Sequence, residues 1–256
     1  MRIALFRPLG LASLLCAIPA LRALDAAYPQ AEITLIGLPH LREVAARLHR
    51  YLDGFVAFPG FPGIPATECD LDAIPGFFER VKAARFDLAI QMHGAGEIAN
   101  PLMVLMGAAR NAGFYRPGRY CPDAQRYLEW REDEDDVQRW VRLAEHLGAR
   151  ADGTFLEFPL EPEDWAEWRA LHLENYVCLE RSRSTSPVGD ALAAEGWNVV
   201  PISLGERNRL GGTAAVIAKA RLVVSNDPAT ALLAAAMRTP TARTLSEARE
   251  LLARAA

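Results

Sequence analysis

The sequence contains very little lysine. Lys82 and Lys219 are the two lysines among 256 residues, and neither has the setting of a phosphate-binding loop. An ATP-type phosphate loop uses a glycine-flanked lysine, so this class of site is excluded. The formal net charge of −4 also leaves no broad basic surface, and we therefore expect no nucleic-acid partner.

Paired cysteines and histidines at metal-ligand spacing are lacking as well. No C-x-x-C pair occurs among the four cysteines, which are Cys16, Cys69, Cys121 and Cys178. Widely separated cysteines are typical of reduced thiols in a cytosolic protein. The five histidines have no spacing that favours a metal. We predict no metal site and no cofactor.

No apolar run is long enough to cross a membrane. Arg2 and Arg7, followed by an apolar run to Ala20, imitate a signal peptide. However, "RIALF" is typical of a strand and "RPLG" of a turn, and Pro19 breaks the run, which is too short for a membrane span. We expect no transmembrane segment and a cytoplasmic location.

What the sequence does contain is an alternation of apolar strands and helices. Strands are predicted at Arg2–Phe6, at Glu32–Pro39 and in "FDLAIQMHG", with helices between them. After a helical linker the alternation resumes with "YVCL" and "RLVVSND". Strands separated by helices favour parallel sheets in an α/β protein. We predict two domains, residues 1–168 and 169–256.

The first helix is predicted from about Ser13 to Ala27. Ser13 is a plausible N-cap, and Pro19 is expected to kink the helix. No acidic residue stands in or just before its first turn. In parallel sheets ligands bind beyond the carboxyl ends of the strands. This rule directs attention to Arg7–Ser13, His93–Asn100 and Ser225–Thr230.

Several separate blocks of the sequence resemble glycosyltransferase family 9, the heptosyltransferase-like proteins. They include "LLCAIPALRALDAAYPQAEITLIGLP", "FDLAIQMHGAGEIANPL" and "NAGFYRPGRYCP", and later "ALAAEGWNVV". The resemblance implies a GT-B-like α/β fold, with two Rossmann-like domains facing a cleft and the C-terminal, donor-side domain reduced. It also implies metal-independent, inverting transfer of a heptose-type sugar from a nucleotide-diphosphate donor to a saccharide acceptor, usually a sugar of the lipopolysaccharide inner core.

Three blocks depart from the family pattern. The family has a glycine–aspartate pair after the first strand, whose aspartate resembles the base, and here those positions are Ala12 and Ser13. In "NDPATALL", Pro228 and Leu232 replace a threonine and a histidine near the donor phosphates. In "ERSRSTSPVG", a glutamate replaces a histidine. A serine hydroxyl is too weak a base near neutral pH to replace a carboxylate.

Three functions therefore stay open. The chain is an active glycosyltransferase that uses another carboxylate, such as Glu97 or Asp227. Alternatively, it is an inactive pseudo-glycosyltransferase that serves as a binding module or as the partner subunit of a complex. The third alternative is an enzyme recruited to another reaction, because one scaffold hosts unrelated chemistries.

No catalytic residue is assigned from the sequence. Seven residues are predicted to bind substrate: Gly10, Ser13, His93, Asn100, Arg116, Asn226 and Asp227. For three of them a second role stays open. Asn100 and Asp227 are also placed to cap helices, and Arg116 is either an anion clamp or part of a surface turn.

Overall fold

The computed structural model describes residues 1–64, 68–204 and 210–254. The chain forms two compact units, Met1–Thr154 and Phe155–Ala256. The sequence predicted the division after Trp168, so the structural division comes earlier.

Unit 1 alternates strands and helices. Its strands are β1 (Arg2–Phe6), β2 (Glu32–Gly37), β3 (Gly54–Ala57), β4 (Leu88–Gln91), β5 (Asn111–Tyr115) and β6 (Tyr127–Glu129). Its α-helices are α1 (Leu11–Ala27), α2 (Arg42–Arg47), α3 (Ile74–Ala83), α4 (Ala99–Leu105) and α5 (Asp136–His146). A short 3-10 turn at Pro39–Leu41 precedes α2.

The strands of unit 1 form one parallel sheet in the order β3-β2-β1-β4-β5-β6. β1 is central, and its residues from Ile3 to Phe6 are completely buried. A continuous apolar run is what a parallel strand with both faces covered requires. The segment that imitates a signal peptide is thus the centre of a folded sheet and the helix after it.

The two faces of this sheet are covered by different apolar groups. On one face, α1 packs against α5. A separate cluster contains the aromatic rings of Phe6, Phe58 and Phe77, which meet edge to face. The ring centroids are 5.1 Å apart for Phe6 and Phe58, and 5.5 Å apart for Phe58 and Phe77. This packing fixes the ends of β1 and β4, and therefore the loops that follow them.

Unit 2 is smaller and repeats the same pattern. It contains α6 (Pro162–Ala170), β7 (Tyr176–Glu180), α7 (Ser186–Ala194), β8 (Asn198–Ile202), α8 (Leu210–Lys219), β9 (Leu222–Val224), α9 (Pro228–Ala236), β10 (Thr241–Ala242) and α10 (Leu245–Arg254). Its parallel sheet has the order β10-β9-β7-β8.

The linker helix α6 is part of unit 2 because it packs on α8. Trp168 Nε1 donates a hydrogen bond to Tyr176 Oη at 3.0 Å, and that hydroxyl donates to the carbonyl of Val216 at 2.6 Å. These two bonds tie α6, β7 and α8 together. Because the bonded atoms are largely buried, we expect separation of α6 from the sheet to be costly.

The sequence prediction for the start of the first helix is wrong. Helix α1 begins at Leu11 with Gly10 at the N-cap position, so Ser13 lies inside the first turn and does not cap it. The closing part of the chain contains the short strand β10 before α10, because Thr241 and Ala242 pair with Val223 and Val224 of β9.

The described residues include no helix with the length and apolar character needed to cross a membrane.

Candidate functional site

A cavity of about 200 Å³ lies in unit 1 beyond the carboxyl end of β4. Its lining comes mainly from the loop between β4 and α4. The lining residues are Gly63, Ile64, His93, Gly94, Ala95, Gly96, Glu97, Ile98, Ala99 and Arg116. β1 and β4 are neighbours in the sheet. The strands that follow them in space, β2 beside β1 and β5 beside β4, lie toward opposite edges of the sheet. Ligands of open α/β sheets bind at such a switch point.

His93 contributes a ring to the wall of this cavity. The ring lies 6.1 Å from that of Phe6, centroid to centroid, and its Nε2 atom is buried without a hydrogen-bond partner among the described residues. Burial lowers the pKa of His93, because the charged form loses solvation. The neutral imidazole is therefore the main form at neutral pH.

Asn100 holds the loop from inside. Its Nδ2 donates to the carbonyls of Phe114 at 3.0 Å and Tyr120 at 3.3 Å, and its Oδ1 accepts from Gln91 Nε2 at 3.3 Å. The side chain is completely buried. Asn100 does not cap α4, since Ile98 occupies the N-cap position. The geometry gives Asn100 a positioning role, and its predicted contact with substrate stays a prediction.

Two glycines shape the loop. Gly94 has φ +59° and Gly96 has φ +84°, a region that glycine adopts at little cost. A Cβ atom at Gly96 would clash with the Asn100 side chain and the carbonyl oxygen of Phe114, whereas a Cβ at Gly94 would meet nothing within 4 Å. Gly96 is therefore required by both backbone conformation and space.

Arg116 also lines the cavity and forms ion pairs with two carboxylates. Its guanidinium nitrogens lie 3.2 Å from Glu97 Oε1 and 2.8 Å from Glu132 Oε1. Of the two glutamates, Glu97 lines the cavity. The sequence left Arg116 open between an anion clamp and a surface turn. The structure places it at the cavity with its charge already matched by protein carboxylates.

Arg7 is a buried cation at the end of β1 that the sequence did not indicate as a site residue. Its Nε donates to the carbonyl of Ser13 at 2.7 Å and its Nη1 to that of Met92 at 2.5 Å. The guanidinium carbon lies 4.2 Å from the centre of the Trp140 ring. Burial lowers the pKa of Arg7 to about 10, so the side chain stays protonated at neutral pH.

These contacts explain the start of α1. Arg7 links the end of β1, the first turn of α1 and the end of β4. Its remaining terminal nitrogen, Nη2, is buried and has no hydrogen-bond partner among the described residues. Gly10 is exposed, with nothing within 4 Å of where a Cβ would stand. The first turn of α1 contains no acidic residue. Ser13 contributes its carbonyl oxygen, which accepts the hydrogen bond from Arg7.

In unit 2 the predicted residues follow β9. Asp227 is the N-cap of α9, since its Oδ2 accepts from the backbone nitrogen of Thr230 at 2.7 Å and from the Thr230 hydroxyl at 2.9 Å. The capping role that the sequence left open is thus confirmed. Asn226 Nδ2 donates to Ser184 Oγ at 3.2 Å, which ties the loop after β9 to the loop after β7.

The loop after β7 is stabilised by hydroxyl groups. The Thr185 hydroxyl is hydrogen-bonded to the Ser182 hydroxyl at 3.0 Å and donates to the carbonyl of Glu180. Arg181 and Arg183 are exposed on this loop. In the described part of the chain, no group of three or more His, Cys, Asp or Glu side chains is arranged to hold a metal ion.

The structure therefore brings some predicted residues together. His93 and Arg116 line one cavity, with Asn100 directly behind its loop. Gly10 and Ser13 belong to the neighbouring strand end of the same unit, and Asn226 and Asp227 belong to unit 2. The strand-end rule pointed to the stretch that begins at Arg7 without giving Arg7 a role, and the sequence did not indicate Gln91 or Glu132. Only long-range contacts reveal their roles.

No protein-family model matches the chain, and no curated protein matches it at the level of sequence. Solved structures, however, share its fold. ADP-heptose lipopolysaccharide heptosyltransferase II of E. coli matches with a TM-score of 0.69 and 15% identity over 94% of this chain and 83% of its own. A glycosyltransferase family 9 protein from Veillonella parvula matches with a TM-score of 0.71 and 17% identity, over 94% and 80%.

A third match is the E. coli heptosyltransferase WaaC, in a structure with ADP. It has a TM-score of 0.65 and 17% identity, over 94% of this chain and 86% of its own. At identities this low, the matches establish a shared fold and nothing more. The chain has a reduced GT-B-like fold, the fold of heptosyltransferases and glycosyltransferase family 9. The resemblance seen in the sequence is confirmed at that level.

Proposed function

We propose that this protein is a glycosyltransferase of the family 9 type. It transfers a heptose-type sugar from a nucleotide-diphosphate donor to a saccharide acceptor. One observation carries the proposal: a GT-B-like fold has a polar cavity at the carboxyl end of β4, with a histidine, a glutamate and an arginine in its lining. Unit 1 is the acceptor side and unit 2 the donor side in this proposal, which keeps the cytoplasmic location that the sequence predicts.

The reaction needs a base near the acceptor. The acceptor oxygen bonds to the anomeric carbon of the donor sugar while the bond from that carbon to the diphosphate oxygen breaks. The diphosphate leaves with the electron pair, and the hydroxyl proton passes to the base. Position 13 offers only a hydroxyl, and Asp227 already caps α9. Glu97 is the carboxylate that lines the cavity, so we assign it this role.

The donor side depends on the two strand-end loops of unit 2. Departure of the diphosphate increases its negative charge, which basic side chains and backbone amides stabilise. Arg181 and Arg183 are exposed on the loop after β7, and Asn226 joins this loop to the one after β9. These residues are the ones we propose to contact the nucleotide diphosphate.

A second candidate function is supported by a specific observation. The side chains of Asp227, Thr185 and Ser184 are engaged in hydrogen bonds within unit 2. Glu97 is likewise engaged, by Arg116. A protein built in this way would bind sugars without transferring them, as a non-catalytic binding module or as the partner subunit of a complex.

Turnover separates the two functions. We expect the purified chain to release ADP from an ADP-sugar in the presence of a saccharide acceptor. Glu97→Gln should reduce this rate by about 100-fold or more, the usual contribution of a general base. Glu132→Gln removes the other ion pair of Arg116, and its effect should stay below about threefold, because exposed pairs contribute little.

Glu145→Gln, an exposed change on α5, serves as the unchanged control. An ADP-sugar that binds but is never turned over would establish the non-catalytic function. Full activity of Glu97→Gln would remove Glu97 from the mechanism.

A further inference from the structure

Arg7 is a buried cation that no step of the proposed reaction uses. Its side chain is 1% exposed, and it follows β1, the strand that pairs with β4 in the sheet. A buried charge is costly unless the protein provides partners for it. The partners of Arg7 therefore indicate its role.

The guanidinium joins two strand ends. Its Nε donates to the carbonyl of Ser13 in the first turn of α1, and its Nη1 donates to the carbonyl of Met92, directly after β4. A backbone bond supports the same junction, from the nitrogen of Met92 to the carbonyl of Phe6 at 2.9 Å. A planar fork holds two acceptors in a fixed relative position, whereas an ammonium group is a point charge. Arg7 thus fixes the loop after β4 relative to α1.

His93 is the cavity residue closest in sequence to this junction. It follows Met92, and its backbone nitrogen donates to Gln91 Oε1 at 3.0 Å, while its ring contacts that of Phe6. Burial is the main cause of the lowered pKa of His93. A hydrogen bond between the ring and the backbone of His93 itself raises this pKa, and the positive charge of Arg7 lowers it. The charge on Arg7 therefore opposes a charge on His93.

The charged groups that line the cavity differ from Arg7 in exposure. Glu97 lies on the loop that carries His93, and Arg116 follows β5. Their side chains are 49% and 44% exposed and form an ion pair. Salt screens such groups, whereas a buried charge is screened much less. Asp136 of α5 attracts Arg7, but its side chain is half exposed.

We infer that Arg7 is a positioning residue of the candidate site. Its fork holds the loop after β4 against the first turn of α1, and its charge opposes protonation of His93. The inference rests on the proposed function, because it names a residue that maintains that same site. The described lining of the cavity does not include Arg7, so Arg7 acts on a ligand through the loop.

Two substitutions separate the fork from the charge. Arg7→Lys keeps a positive charge and loses the planar fork, whereas Arg7→Gln keeps a hydrogen-bond donor and loses the charge. Arg150→Met removes an exposed arginine of unit 1 and is the control. Circular dichroism shows which variants are folded. Arg7→Met, which is also uncharged, replaces Arg7→Gln if that variant does not fold.

NMR titration of the histidine rings tests the charge. The signal that disappears in His93→Gln identifies His93. We expect the pKa of His93 to rise in Arg7→Gln and to stay near its wild-type value in Arg7→Lys and in the control. The exposed His49 should titrate alike in all of them. A purely structural role would change the pKa of His93 equally in both Arg7 variants, and that result overturns the assignment of the charge.

The amide signals of Gly94 and Gly96 test the fork, because both residues lie in the loop after β4. We expect these signals to shift in Arg7→Lys, although its charge is kept, and to stay in place in the control. Unchanged signals in Arg7→Lys overturn the assignment of the fork. Neither NMR measurement needs a ligand.

Turnover links the fork to the proposed function. In Arg7→Lys we expect kcat for release of ADP from an ADP-sugar to fall about tenfold, because small displacements of a site reduce the rate strongly. KM should change less than about threefold. A wild-type kcat in Arg7→Lys contradicts a positioning role. If the wild-type chain itself shows no turnover, the proposed function has failed, whereas the two NMR measurements still decide whether Arg7 controls the loop and His93.

Discussion

The two units use the polar residues at their strand ends differently. In unit 1, Gln91 and Asn100 hold the loop after β4 from inside, so that His93 and Glu97 remain at the cavity. In unit 2, the corresponding polar groups serve the fold, with Asp227 capping α9. A polar residue at the end of a parallel strand is therefore not a binding residue by position alone. Its hydrogen-bond partners show whether the side chain stabilises the fold or remains available to a ligand.

Removal of Arg7 is expected to have the largest effect. Arg7→Ala deletes the two charge-assisted hydrogen bonds to the carbonyls of Ser13 and Met92, and it also deletes the contact with Trp140. We expect unit 1 to lose about 3 kcal/mol of stability. Denaturant unfolding followed by tryptophan fluorescence measures this loss. Arg119→Ala, an exposed change, is the control, and equal losses for the two variants would contradict the account.

The two loop glycines give a matched pair with the next largest effect. Gly96→Ala combines a positive φ with a clash against Asn100 and Phe114, whereas Gly94→Ala has the positive φ alone. We expect losses of about 3 kcal/mol for Gly96→Ala and about 1 kcal/mol for Gly94→Ala. Thermal unfolding of both variants provides the comparison. Similar melting temperatures would show that space at Gly96 is not limiting.

The cap of α9 tests the other side of the comparison. Asp227→Ala should cost unit 2 about 1 kcal/mol, because the backbone nitrogen of Thr230 loses its acceptor. Asp227→Asn keeps a good capping residue and should cost much less. Urea unfolding of both variants checks the difference. If the two are equally destabilised, the carboxylate does more than cap the helix.

The smallest expected effect concerns pH. The pKa of His93 is lower in the folded chain than its ordinary value of about 6.5, so the unfolded chain binds more protons near that pH. Stability should therefore fall as pH decreases from about 6.5 toward the lowered pKa. His93→Gln should abolish this part of the pH dependence. Chemical denaturation at a series of pH values measures it, and an NMR titration of His93 at or above 6.5 would refute it.

The central strands could be predicted from the sequence because they are continuous apolar runs. Arg2–Phe6 and Tyr176–Glu180 are such strands. The edge strands β3 and β6 were missed, since they are only four and three residues long and partly exposed. The start of α1 was misplaced because serine is the better N-cap by preference, although Gly10 takes that position.

The site was predictable only in part. The strand-end rule located His93 and its loop, because the rule depends on chain order alone. Arg7 could not be recognised, since an arginine after a strand ordinarily faces solvent. Its burial depends on Trp140, which is far away in the sequence. The ion pairs of Arg116 with Glu97 and Glu132 likewise form only when the chain folds, so the sequence alone does not reveal them.

Calorimetric titration with ADP and with ADP-sugars tests the central claim most directly, because sugar transfer from a nucleotide-diphosphate donor needs a nucleotide-sugar site. The account predicts saturable binding of the ADP-sugar to the wild-type chain. Arg181→Ala together with Arg183→Ala should weaken that binding, because both remove positive charge from the loop proposed to hold the diphosphate. Absence of any heat of binding from a folded chain, at millimolar ligand, would contradict the claim.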